Sequence, residues 1–171
     1  PQKHCNTIIF GIFRTTNGSN ASPTWAQITS GLPASYQGHI KLDNVGSTVL
    51  VASIGMSSST AATNREIYNS TDFGLNWSVV GGTGAGTTTN HCSYQFWFAH
   101  TVAINPFSTD SILYGGVYLY RHRIASTTRA SLTTPHADHH DIKFDPVRRG
   151  TVYVCNDGGV YKSTNGGNSF S

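Results

Sequence analysis

A short signal recurs along this chain and limits it to repeat architectures. An aromatic residue followed by a polar one, usually with Ser or Thr after it, stands at Phe13-Arg14-Thr15, Tyr68-Asn69-Ser70, Tyr120-Arg121-His122 and Tyr161-Lys162-Ser163. The intervals of 55, 52 and 41 residues lie within or slightly above the length of a unit of four short strands. After three of the anchors comes a turn signal. It reads Ser70-Thr71-Asp72-Phe73-Gly74-Leu75-Asn76-Trp77, Ser163-Thr164-Asn165-Gly166-Gly167-Asn168-Ser169-Phe170, and more loosely Thr15-Thr16-Asn17-Gly18-Ser19 with Trp25 further on. An Asp or Asn side chain can accept backbone N–H bonds there, Gly supplies positive φ, and the closing aromatic folds back over the hairpin.

A second unit precedes the anchors. Val102-Ala103-Ile104-Asn105-Pro106 leads to Ile112-Leu113-Tyr114-Gly115, and Ile142-Lys143-Phe144-Asp145-Pro146 leads to Thr151-Val152-Tyr153-Val154. Each predicts strand, Pro-bearing turn, strand. Ile40-Lys41-Leu42-Asp43-Asn44 with Val49-Leu50-Val51-Ala52 is a weaker third copy. Composition agrees: 19 Ser, 21 Thr and 18 Gly against 11% charged residues describe a β-rich, turn-rich chain. The 19 aromatic residues, spread evenly, argue for a packed structure over a disordered one.

The pattern S-x-D-x-G-x-x-W resembles the Asp-box, or BNR repeat, of sialidase-like and xyloglucanase-like β-propellers. The copy at 70–77 matches well; that at 163–170 has Asn for Asp and Phe for Trp, the first carries an insertion, and the unit at Tyr120 has lost the box. The stretch from Gln95-Phe96-Trp97 through Asn156-Asp157-Gly158-Gly159 is also similar to large secreted bacterial proteins of this group called glycosyl-hydrolase-like. The resemblance implies an all-β propeller of four-stranded antiparallel blades with Asp-box turns, about three and a half of them in residues 1–171, with approximate blades 1–36, 37–95, 96–135 and 136–171. Propellers of this kind generally have six or more blades, so the chain is expected to be part of a longer propeller, its remaining blades among its partners. In this reading Asn17, Ser70, Asp72, Gly74, Trp77, Ser163, Asn165 and Gly167 are structural box residues.

Strand order then assigns loops to faces. If each first strand runs from the top downward, the box turns lie at the bottom, and the loops before the first strands lie at the top, where propellers bind. "HADHHD", His136 to Asp141, precedes or opens a first strand, and Asp157 follows the second strand of the same blade. His100 is the counterpart of His140, 40 residues away, and His39 falls near the same place in the blade before. A ring of imidazoles could hold a metal, position a sugar or anion, or transfer protons. Ligand-binding candidates are therefore His100, His136, His139, His140 and Trp97, whose ring suits sugar stacking as well as blade packing. In an extended loop His136, Asp138 and His140 would share one side, which makes them the candidate ligands for a divalent metal; no cofactor is required otherwise. A glycosidase needs two carboxyl groups roughly 5 to 10 Å apart, and Asp138 or Asp141 with Asp157 is the pair available on one face. Arg14, Arg65, Arg121 and Arg123 do not fall into an assignable sialidase-type arginine triad. His and Asp also cap strand ends in ordinary loops, and that alternative stands beside the functional one.

Other classes are excluded or narrowed by charge and patterning. The net charge of +3 is scattered, with Arg148-Arg149 the one adjacent basic pair, so nucleic acid is not an expected partner. No apolar run approaches the roughly 20 residues of a membrane span. Cys5, Cys92 and Cys155 are odd in number and show no CxxC spacing, against a zinc knot. The chain starts at Pro1, so a signal is expected to have been removed or the N-terminus to be missing. A secreted or cell-surface location follows from composition, with sequons at Asn17, Asn20, Asn69 and Asn76. The functional expectation is binding or hydrolysis of extracellular polysaccharide or glycoprotein glycan; a non-catalytic structural or protein-binding scaffold is the alternative.

Overall fold

The computed structural model describes residues 11–33, 39–54, 67–81, 91–93 and 95–171. Cys5, Arg65, Tyr94 and most of the expected blade boundaries lie outside these residues or in loops between strands. All regular structure among the described residues is β. Sheet 1 holds β1 (Ile12–Arg14) and β2 (Ala26–Ile28). Sheet 2 holds β3 (Ile40–Val45), β4 (Val49–Ile54), β5 (Ile67–Ser70) and β6 (Ser78–Val79). Sheet 3 is β7 (Thr101–Ile104), β8 (Ser111–Gly115), β9 (Leu119–Arg123) and β10 (Arg129–Leu132). Sheet 4 is β11 (His139–Phe144), β12 (Val152–Asn156) and β13 (Gly159–Ser163). Every pairing is antiparallel between sequence neighbours.

The sheets stack face to face, and strand sequence explains how. The middle strands β4 and β8 carry apolar side chains on both faces because sheets 2 and 3 are each covered on both sides. In β8, Ile112 and Tyr114 enter the layer between sheets 2 and 3 with Val51, Ile67, Val102 and Ile104, whereas Leu113 enters the layer between sheets 3 and 4 with Ile142, Val152 and Val154. In β4, Val51 faces sheet 3 while Ala52 and Ile54 face sheet 1 with Ile12 and Trp77. Alternation thus sends successive residues into successive layers. The first strand of each sheet is its edge, and β7 lies against both β3 and β11. Asp43 on β3 extends this contact by accepting the backbone N–H of Ile104 at 2.9 Å. Sheets 2, 3 and 4, two of them four-stranded, meet through their first strands in a propeller-like arrangement.

The bottom end is closed by hydrogen-bonded turns. Ser70 Oγ donates to Asp72 Oδ1 at 2.8 Å and accepts from the N–H of Gly74 at 3.0 Å. Asp72 in turn accepts from Asn76 N at 2.9 Å and Asn76 Nδ2 at 2.7 Å. Trp77 then folds back, its Nε1 donating to Gly74 O at 3.0 Å, and is buried. The turn after β13 repeats the plan: Gly167 N donates to Ser163 Oγ at 2.8 Å and Ser169 N to Asn165 Oδ1 at 3.0 Å. The turn at Asn17 does so across a longer loop, with Thr24 N donating to Asn17 Oδ1 at 2.9 Å. Sheet 3 uses a different device. Asp110, from the turn before β8, accepts from Ala125 N and pairs with Arg123, holding the β9–β10 turn from outside it.

Candidate functional site

The top end is where β3, β7 and β11 begin and β4, β8 and β12 end. Here the six-residue polar stretch adopts a conformation the sequence does not announce. Asp138 is left-handed, with φ 60°, and the register slips between His139 and Asp141, so His140 bulges from the ladder. The segment is therefore not extended, and the expected shared side for His136, Asp138 and His140 is corrected. A bulge re-aims its side chain, and here neighbouring imidazoles part company. Among the described residues no three His, Cys, Asp or Glu groups come together in a metal-holding cluster.

His139 turns inward and is fully buried. Its Nδ1 lies 2.8 Å from Gly116 O and its Nε2 3.1 Å from Thr134 Oγ1, so it ties sheet 4 to the β8–β9 turn. Burial pushes its pKa below the ordinary imidazole value, partly opposed by the Gly116 contact and Asp138. Gly115 makes the approach possible: a Cβ there would stand 2.9 Å from His139 Cβ. His139 is a structural residue, contrary to its expected place in a ligand site.

His140 turns outward. A carboxylate only accepts, so Nε2 donates to Asp157 Oδ1 at 2.6 Å, which leaves Nδ1 facing away from the pair. Both side chains are partly open, at 36% and 41%. The Phe98 ring meets the His140 ring edge-on at 5.0 Å, and Trp97 lies 5.5 Å from Phe98. Local backbone explains this aromatic pair. Gln95 O accepts from both Phe98 N and Ala99 N, forming one helical turn that sends Phe96 into the core and leaves Trp97 62% and Phe98 44% exposed. Blade packing falls to Phe96, and Trp97 remains presented at the surface. Trp97, Phe98, His140 and Asp157 form one run from sheet 3 to sheet 4.

The remaining candidates stand apart from that run. His136 Nδ1 is 3.1 Å from Ala137 O, and its carbonyl accepts from Asn156 Nδ2 and the Thr134 hydroxyl. It rests on Gly158, where a Cβ would come within 2.7 Å of His136 Cβ. Asp138 Oδ1 is buried with no hydrogen-bond partner among the described residues. Asp141 accepts from Ile142 N at 3.0 Å and lies 3.5 Å from Lys143 Nζ. His100, expected at an open mouth, is instead 1% exposed, with Nδ1 2.9 Å from Ser53 Oγ across the layer between sheets 2 and 3. Burial first, and then the proximity of His91, Lys41 and His39, pushes its pKa down to about 3. It is a neutral core imidazole, and the 40-residue correspondence with His140 does not carry a shared environment.

Sequence reasoning gave no site role to Phe98, Ser53, Gly116 or Gly158. The signal for Gly158 was available in Asn156-Asp157-Gly158-Gly159, a turn whose glycines admit close neighbours.

No protein-family profile and no curated protein matches the chain by sequence. Solved structures do match in fold. The chain superposes on the GH74 xyloglucanase of Xanthomonas campestris with a TM-score of 0.53 at 18% identity, and on the GH74 enzyme of Niastella koreensis with 0.55 at 17%. It covers 85% and 82% of its own length in these matches but only 19% and 18% of theirs, so it spans about a fifth of those enzymes. YCF48 bound to D1 peptide matches with a TM-score of 0.53 at 9% identity, over 96% of this chain and 43% of that one. At these identities the likeness concerns the fold, which is that of a β-propeller.

Proposed function

We propose that this chain is part of a secreted Asp-box β-propeller that binds extracellular glycan at its top end. The observation that carries this is the continuous run of two exposed aromatic rings and a hydrogen-bonded His–Asp pair. A ring such as Trp97 offers a flat apolar face to the C–H side of a sugar, while His140 Nδ1 and the free oxygen of Asp157 offer hydrogen bonds at its rim. The bottom turns support the Asp-box assignment through their Ser–Asp–Gly bonding, and the GH74 likeness supports a glycan over other ligands.

Hydrolysis by a carboxylate pair would need a partner for Asp157, because Asp141 is engaged by Ile142 and Lys143. That partner would come from another blade across the top end.

The test is titration of the protein with xyloglucan and other neutral β-glucan oligosaccharides, followed by tryptophan fluorescence and calorimetry. Trp97→Ala is expected to weaken binding by about 1–3 kcal/mol, and His140→Ala to weaken it without lowering the unfolding midpoint. No saturable binding by any neutral or acidic glycan, or binding indifferent to Trp97→Ala, would overturn the proposal and favour a non-catalytic scaffold.

A further inference from the structure

The layers between sheets differ at the bottom end in a way that points to a second site. Between sheets 2 and 3 the apolar packing continues downward through Val45, Val49, Tyr120 and Ile124. Between sheets 3 and 4 Leu132, Phe144 and Phe170 continue the packing, and beside them a cleft of about 550 Å³ opens, lined by Ser108, Ser111, Arg121, Arg123, Phe144 and Gly166 among others. Its volume falls within the range of small-ligand sites.

Strand alternation sets the chemistry of this cleft. Arg121 pairs across the ladder with Leu113 and Arg123 with Ser111, so both arginines project on the face that packs against sheet 4. As residues i and i+2 they stand about 7 Å apart along the strand. Arg129 also borders the cleft, but its guanidinium sits over the Tyr120 ring and donates to Tyr114 OH on the opposite face. It is not counted in the charge of the site.

Both guanidinium groups are held in orientation and keep donors to spare. Arg121 uses Nη1 on Gly166 O at 3.3 Å and Asn168 Oδ1 at 2.9 Å, which are neutral acceptors, leaving Nε and Nη2. Arg123 uses Nε and Nη2 on Asp110 Oδ2, each at 2.8 Å, leaving Nη1. Asp110 Oδ1 is committed to Ala125 N, so one carboxylate stands against two guanidinium groups. The uncompensated charge, the hydroxyls of Ser108 and Ser111 and the fork geometry of arginine match an anion that offers oxygens in several directions.

We propose that this bottom cleft binds a tetrahedral oxyanion, either a sulfate ester on a polysaccharide or free inorganic sulfate or phosphate. It is separate from the top-end run, so its failure and that of the glycan proposal are independent.

The experiment follows backbone amide shifts of the protein while inorganic sulfate replaces chloride at constant ionic strength, then repeats the titration with a sulfated oligosaccharide and its desulfated form. Saturable shifts at Arg121, Arg123 and Gly166, weakened at least about tenfold by Arg121→Gln and by Arg123→Gln, are the expected result. Arg149→Gln, outside the cleft, is expected to leave them unchanged. Arg123 is 75% exposed, so its variant keeps the test informative if Arg121→Gln fails to fold. Tighter binding of the sulfated sugar than of inorganic sulfate assigns the occupant to polysaccharide; equal binding assigns it to the free ion. Shifts no greater than those with chloride, or shifts that both glutamine variants retain, overturn the site.

Discussion

The two ends of this molecule both carry Asp and Asn side chains, and these send their hydrogen bonds to different partners. At the bottom, Asp72 and Asn165 spend their side-chain oxygens on backbone N–H groups of their own turns. At the top, Asp157 makes its bond to a half-exposed imidazole that borders two exposed aromatic rings. Where a polar group sends its hydrogen bonds separates groups spent on the fold from groups left open to solvent better than how many such groups stand together. His139 and His140, adjacent in sequence, show the same division within a single dipeptide.

Breaking the Ser70–Trp77 turn should destabilise the fold and leave glycan affinity at the top end alone. Trp77→Ala removes a 3% exposed side chain that closes its turn and packs with Ile12, Ile54 and Tyr68. A loss of about 3–5 kcal/mol is expected in denaturant unfolding. If the loss were below about 1 kcal/mol, the turn would not be anchoring the layer between sheets 1 and 2.

The next effect is one of pH. His100 is held near pKa 3 when folded, against an ordinary 6.5, so the unfolded chain takes up a proton that the folded one refuses. Stability is therefore full above about pH 6.5 and falls as the pH drops from there towards 3. His122 and His139 are lowered by burial as well and act in the same sense. The urea midpoint should drop between pH 7.5 and 4.5, and His100→Gln should shrink that drop. An undiminished drop in the variant would show that His100 is protonated without strain.

The smallest effect separates the two bottom turns from each other. Hydrogen bonds from Asn76 and Ser70 hold Asp72 at about 2 against an ordinary 3.8. Its contribution is present above pH 3.8 and is lost as the pH falls through about 2. Asn165 makes the corresponding bonds and has no proton to gain. Asp72→Asn should thus flatten the acid limb of the stability profile, whereas Asn165→Asp should steepen it. Identical profiles for both variants would mean that the charge of Asp72 contributes nothing beyond its geometry.

Much of the fold could be read in advance because it depends on neighbours in sequence. The strand pairs around Asn105-Pro106 and Asp145-Pro146 form as β7–β8 and β11–β12, with the turns where the prolines stand. The Ser70–Trp77 turn bonds as its residue types require, and even the inserted Asn17 turn recovers its bond through Thr24. The candidate site was legible only in outline. Its residues were placed at the leading end of the strands, but a period-two pattern assigned their directions wrongly, since Asp138 is left-handed and a bulge follows it.

By itself, then, the sequence determined the all-β architecture, the strand–turn–strand units and the bottom turns, because alternation and turn chemistry act over a few residues. Only tertiary structure decided which histidine faces solvent. His139 is buried by Gly116 of the neighbouring sheet and His100 by Ser53 of the one before, contacts 23 and 47 residues distant. Burial of an imidazole is a property of the layer it enters, and layers exist only once sheets have stacked.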